Sequence, residues 1–72
     1  MIEERVLKCI ESVIFEEPKL TDDFIELEID SIDVIEIVVE LETEFDIHIP
    51  DRYIPELHSV EDCVKLITTL TQ

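Results

Sequence analysis

DSIDVIEIVVELETEFD, residues 30–46, spaces its apolar side chains at intervals that a helix, and not a strand, brings together. At about 100° per residue, Val34, Ile37, Val38, Leu41 and Phe45 fall within one arc of roughly 100°, the width of a core-facing stripe. The helix is expected to run from Ser31 to about Phe45, with Asp30 as its N-cap and Asp33 closing a capping box three residues on. Ile32, Ile35 and Val39 do not join the core arc. They form a second stripe beside Ser31, separated from the first by a wedge of Asp33, Glu36, Glu40 and Glu44. Two readings follow: a neighbouring segment covers the second stripe, as in many small bundles, or the stripe is a contact surface rimmed by acids.

Outward from this helix the chain divides without internal repeats or linkers. Toward the N-terminus, Ile2, Val6, Ile10 and Val13, flanked by Leu7 and Ile14, recur at helical spacing, and Glu3 and Glu4 sit where the positive end of the helix dipole favours them. This predicts a first helix ending near Phe15. Between them, EEPKLTDDFIELEID has turn formers and no sustained period, so it reads as a long loop pinned to the core by Phe24, Ile25, Leu27 and Ile29. After the central helix, Pro50 keeps Ile49 extended, and DRYIPEL allows a short helix or turn that Pro55 limits. Ser59 then reads as an N-cap, with Glu61 and Asp62 in the first turn and Val60, Val64, Ile67 and Leu70 repeating to about Leu70. The fold class is all-α: a small four-helix bundle of three main helices plus one short helix, in a single domain over residues 1–72.

Composition narrows the function. The 72 residues hold 20 acidic against 5 basic side chains, a formal charge of −15 with 46% hydrophobic residues. So negative a body repels nucleic acid and anionic membrane, and it attracts partners that display Lys and Arg patches. Cys9 and Cys63 are too few for a disulfide framework and lack metal-site spacing, so both read as reduced core thiols. The opening MIEERVLKCI carries charges inside its apolar stretch, which argues against a signal peptide or membrane span and makes a cytoplasmic monomer the expectation.

Ser31 stands alone among the hydroxyls in its placement. On composition alone it reads first as sharing the cap with Asp30. A serine nucleophile of a hydrolase needs a base and oxyanion donors, yet His48 and His58 both lie in irregular segments and no GxSxG turn surrounds Ser31. An EF-hand spacing with its glycine is also missing, glycine being absent from the chain. The functional alternative is a modification site: a helix N-terminus stabilises a phosphate ester, while Asp30 and Asp33 oppose it and offer carboxylates to a magnesium ion in a modifying complex.

The segments Asp30-Ser31-Ile32-Asp33, VIEIVVELETEFD (34–46) and IHIPD (47–51), with the opening IEERV and closing SVEDCVKLI, resemble the acyl carrier protein family across essentially the whole chain. The resemblance implies a four-helix bundle in which Ser31 receives 4'-phosphopantetheine from coenzyme A, transferred by a separate magnesium-dependent phosphopantetheinyl transferase. Magnesium is needed only during that modification. The arm's thiol then carries acyl groups as thioesters, in fatty-acid, polyketide or specialised lipid biosynthesis, and the protein is a carrier and not a catalyst. Asp30, Ile32, Asp33, Ile35, Glu36, Val39 and Glu42 would meet the basic, partly apolar patches of the transferase and of acyl-transferring and chain-elongating synthases. Two positions depart from the family pattern: Ile32 replaces the usual leucine, and Glu28 stands where a glycine is usual, two residues before Asp30. The alternatives are an aminoacyl carrier of the D-alanine or peptidyl type, and an unmodified acidic adaptor or nucleic-acid mimic.

Overall fold

The computed structural model describes residues 1–72 and contains three α-helices, α1 (Ile2–Ile14), α2 (Ser31–Phe45) and α3 (Val60–Leu70), with a 3₁₀ segment, Asp51–Glu56, between the last two. The all-α bundle expected from the periodicity is the one found, and its single pair of strand-like bonds joins Asp23 to Ser59. One core holds Val6, Cys9 and Ile10 of α1, Val34, Ile37, Val38 and Leu41 of α2, and Val60, Cys63, Leu66 and Ile67 of α3. Removing side chains such as Ile37 and Leu41 completely from water contributes about 2 kcal/mol each, and α1 packs against both α2 and α3. Phe45, expected in the core, is only half-buried at the helix end. On α3 the inward face is set by Cys63 and Leu66 as well as Val60 and Ile67, while Val64 and Leu70 flank it.

The helix ends are built without glycine. Phe15 and Asp46 follow α1 and α2 in the left-handed region, φ 60° and 53°, and their N–H groups donate to the carbonyls of Glu11 and Glu42. Glu28 is the third such residue, φ 57°, in the turn before α2. For Asp46 a short polar side chain eases this conformation, whereas a side chain as large as Phe or Glu costs roughly 1 kcal/mol or more there. Glu28 is therefore strained at the position where the resemblance calls for glycine.

No basic residue lies in the last turn of α2, and α1 supplies one. The Arg5 guanidinium donates to the Glu44 carboxylate at 2.7 Å and to the Glu44 backbone carbonyl at 2.9 Å. It also lies 4.2 Å from the centre of the Phe45 ring. A cation thus reaches the negative end of the α2 dipole from another helix.

The long loop is pinned, though not by all four expected anchors. Phe24 is buried and Leu27 and Ile29 are half-buried, but Ile25 points to solvent, and Pro18 is buried instead. The reason is local winding: Leu27 N–H donates to Asp23 carbonyl and Glu28 N–H to Ile25 carbonyl, so neighbours of Phe24 diverge as in a helical turn. Phe24 N–H to His58 carbonyl (2.8 Å) and Val60 N–H to Asp22 carbonyl (3.1 Å) fasten this loop to the entrance of α3. The 3₁₀ segment stays short because Pro55, inside it, cannot donate a backbone hydrogen bond.

Candidate functional site

Ser31 is the first residue of α2 and is exposed. The cap is made around it by others: Asp33 N–H donates to the Asp30 carboxylate at 2.9 Å, and Asp30 N–H to the Asp33 carboxylate at 3.4 Å. The capping share that composition suggested for Ser31 thus belongs to Asp30 and Asp33, and the hydroxyl is held at the helix mouth outside the capping bonds. The second hydrogen bond is long, so Asp30 does most of the capping.

The second stripe of α2 is open. Ile32 is 66% exposed and Ile35 and Val39 are each 53% exposed, while Val34 and Val38, their sequence neighbours, are buried. Neither the long loop nor the 3₁₀ segment covers it, so the stripe is not part of the core. Exposed Asp30, Glu36 and Glu40 and half-buried Asp33 border it. Ser31, Ile32, Ile35 and Val39 share one side of α2, with Asp30 just before Ser31 and Glu36 and then Asp33 along the acidic wedge that borders the stripe. Glu42 has an internal task as well. Its carboxylate accepts the backbone N–H of Ile49 at 2.8 Å and lies 3.3 Å from Nδ1 of His48, so it fastens the segment leaving α2 back onto the helix. His48 and His58 are exposed and lie away from Ser31 in sequence and in the fold elements that carry them.

Two open grooves flank the stripe. One, about 350 Å³, lies between the start of α2 and the 3₁₀ segment and is lined by Ser31, Val34, Ile35, Ile54, Pro55 and Leu57. The other, about 300 Å³, lies between α2 and the end of α1 and is lined by Ser12, Val13, Phe15, Ile35, Glu36, Val39 and Glu40. No basic side chain lines either. Sequence periodicity missed Phe15, whose signal was available: a helix must end there in a chain that has no glycine to end it.

The two thiols cannot share the chemistry of this site. Burial, reinforced by Glu44 and Glu40 and opposed by Arg5, pushes Cys9 up to about 11. Burial, with Asp62 and then Cys9 adding to it, pushes Cys63 up to about 12. Both are free and buried, and at neutral pH both are protonated and poor nucleophiles.

An exposed hydroxyl at a helix mouth, beside apolar side chains and with no base in place, cannot react unaided, but it is open to an enzyme that brings its own base. Its surroundings also fit a phosphate-linked group: free helix N–H groups and the dipole favour the anion, and solvent and the groove leave room for a long substituent. Residues 4–67 match the family model described as the phosphopantetheine attachment site. The acyl carrier protein of Campylobacter lari is 41% identical over 64 residues, which are 89% of this chain and 79% of that protein. The putative mitochondrial acyl carrier protein of Schizosaccharomyces pombe is 39% identical over 71 residues, 92% of this chain and 63% of that protein. The mitochondrial acyl carrier protein of Saccharomyces cerevisiae is 46% identical over 44 residues, 61% of this chain and 35% of that protein.

Proposed function

This chain belongs to the acyl carrier protein family, whose cofactor is 4'-phosphopantetheine, and we propose that Ser31 is the residue that bears the arm. The observation that carries this reading is the position of Ser31: an exposed hydroxyl at the mouth of α2, released from capping by Asp30 and Asp33, next to an apolar stripe left open to solvent. In the modification, a base of the transferase takes the Ser31 proton as Oγ bonds to the phosphorus next to pantetheine. The bond from that phosphorus to adenosine 3',5'-bisphosphate breaks. Asp30, next to Ser31, would offer its carboxylate to the magnesium ion of that complex, which would neutralise charge on the phosphates.

Once attached, the arm supplies a thiol that holds acyl groups as thioesters. The chain's own residues do the rest. Ile32, Ile35 and Val39 offer apolar contact to each visiting enzyme, while Asp30, Asp33 and Glu36 steer its Lys and Arg side chains and set the orientation of docking. Glu42 contributes to the same field mainly by keeping the Ile49 segment in place. The groove floored by Val34, Ile54 and Leu57 receives the first methylenes of a bound acyl chain. The protein is a substrate and shuttle for transferase and synthases, and its relatives' names support acyl cargo over aminoacyl cargo. Fatty-acid or related lipid or polyketide synthesis in the cytoplasm is the setting this reading gives it, and no helix is long and apolar enough to cross a membrane.

The test is intact-mass spectrometry after incubation with coenzyme A, magnesium and a broad-specificity phosphopantetheinyl transferase. One arm is expected on the wild-type chain and none on Ser31→Ala. Arm attachment that persists in Ser31→Ala, or none on the wild type with any active transferase, removes the proposal. The mass of the protein from its native host then tells acyl from aminoacyl cargo.

A further inference from the structure

Phe15 combines two costs that a smaller residue would escape. Its backbone is left-handed, φ 60° and ψ 28°, which a β-carbon disfavours, and its ring is 89% exposed. The left-handed turn ends α1, but the ring has no part in it, since the N–H to Glu11 carbonyl bond uses only backbone atoms and a smaller residue would make it at less cost. What the side chain does supply is a wall. Together with Val13, Ile35 and Val39 it forms the apolar part of the groove between α1 and α2, and Glu36 and Glu40 form the acidic part. Ile35 and Val39 belong at once to this groove and to the open stripe beside Ser31, so the apolar surface runs on from α2 to the end of α1.

From this geometry we infer that the Phe15 groove is a second docking point for carrier-using enzymes, one that accepts an apolar side chain flanked by Lys or Arg. The inference deepens the reading of the α2 stripe and rests on it for the identity of the partner. Charge selects the occupant. Glu36 and Glu40 line the groove, Glu16 and Glu17 directly follow Phe15, Glu11 lies one helical turn before it, and no basic side chain lines the groove. A second copy of this chain is a poor occupant, because two bodies of charge −15 repel. A partner's aliphatic side chain completes the apolar wall while its cations neutralise the rim, and Phe15 becomes covered only in that complex.

The experiment is a nuclear magnetic resonance titration of the full isotope-labelled chain with the peptide Lys-Leu-Lys-Leu-Lys, with penta-lysine as the charge-matched control. The leucine-bearing peptide is expected to shift the Phe15, Ile35 and Val39 signals and to bind about fivefold more tightly than penta-lysine. Phe15→Gly and Phe15→Asn, which both tolerate the left-handed backbone, are expected to reduce that difference to about none. Their melting temperatures should not fall, so loss of binding would not reflect loss of fold. Equal binding of both peptides, shifts spread over the whole acidic surface, unchanged affinity in Phe15→Gly, or a dimer that buries Phe15 in sedimentation would each overturn the inference. Ser31→Ala should bind the peptide like the wild type, so failure of arm attachment at Ser31 and failure of the groove are read separately.

Discussion

The two faces of α2 are made of the same residues and meet opposite fates. Val34, Ile37, Val38 and Leu41 are sealed in the core, while Ile32, Ile35 and Val39, interleaved with them, stand in water. Hydrophobicity therefore does not decide which face is core. The neighbours do: α1 and then the 3₁₀ segment pack against one face, and the loop that might have closed over the other is fastened instead to the start of α3 through Phe24, Asp22, His58 and Val60. A small domain that leaves three β-branched side chains outside forgoes burial it needs, and the proposed docking of partner enzymes gives that exposure a use.

The sharpest way to break this comparison is to truncate both faces alike. Leu41→Ala should lower unfolding stability by about 3 kcal/mol, whereas Ile35→Ala should change it by less than about 0.5 kcal/mol in urea melts. The order should invert in docking, with Ile35→Ala raising the KM of the phosphopantetheinyl transferase while its melting temperature holds. Equal stability losses would mean that the outer stripe is covered after all.

The thiols extend the contrast from apolar side chains to reactive ones. Cys9 and Cys63, raised from 9.0 to about 11 and about 12, stay protonated in the folded chain at pH values where the unfolded chain has already lost those protons. Their contribution to stability is complete below pH 9 and is lost as pH rises through about 11 to 12, so melting temperature should fall across that alkaline window, less so in Cys63→Ala. At about pH 8 iodoacetamide should react quickly with the thiol of the attached arm and slowly with both cysteines, read by mass.

A smaller change sharpens the comparison at the edge of the site. Glu28→Gly relieves the left-handed strain just before α2 and should raise stability by about 1 kcal/mol, whereas Asp46→Gly should yield less because Asp tolerates that region. The smallest effect concerns only the outer surface. Raising salt from low to roughly physiological strength screens the charge of −15 and should raise the melting temperature by roughly 2–5 °C.

Much of this was legible in the sequence because periodicity and capping are local. The ranges of α2 and α3, the Asp30–Asp33 cap and the two stripes follow from spacings within a few turns of helix. Ile25 was misplaced because a loop has no period to tell which side chain turns inward, and Phe24 with its partner His58 is set by a contact across the fold. The fate of the second stripe was illegible for the same reason: exposure depends on where the long loop goes. The resemblance put Glu42 on the docking rim; its bond to the amide of Ile49 was not legible, because it reaches backbone beyond the helix end. Phe15 entered only as the end of the first helix, because spacing within the helix says nothing about where a side chain just past its last turn will point.

The grip of Arg5 on the end of α2 bears on how this helix can be borrowed. A peptide copied from residues 31–45 would keep the Asp33 side chain but lose its N-cap, its inner packing and the cation that settles its terminal carbonyls. Isolated helices of that length are marginal in water, and this one would also carry unscreened glutamates at its negative pole. Enzymes that recognise the shape of the serine-bearing helix would then meet a largely unstructured strand, so transplanting it into another protein as a labelling handle calls for α1 to travel with it.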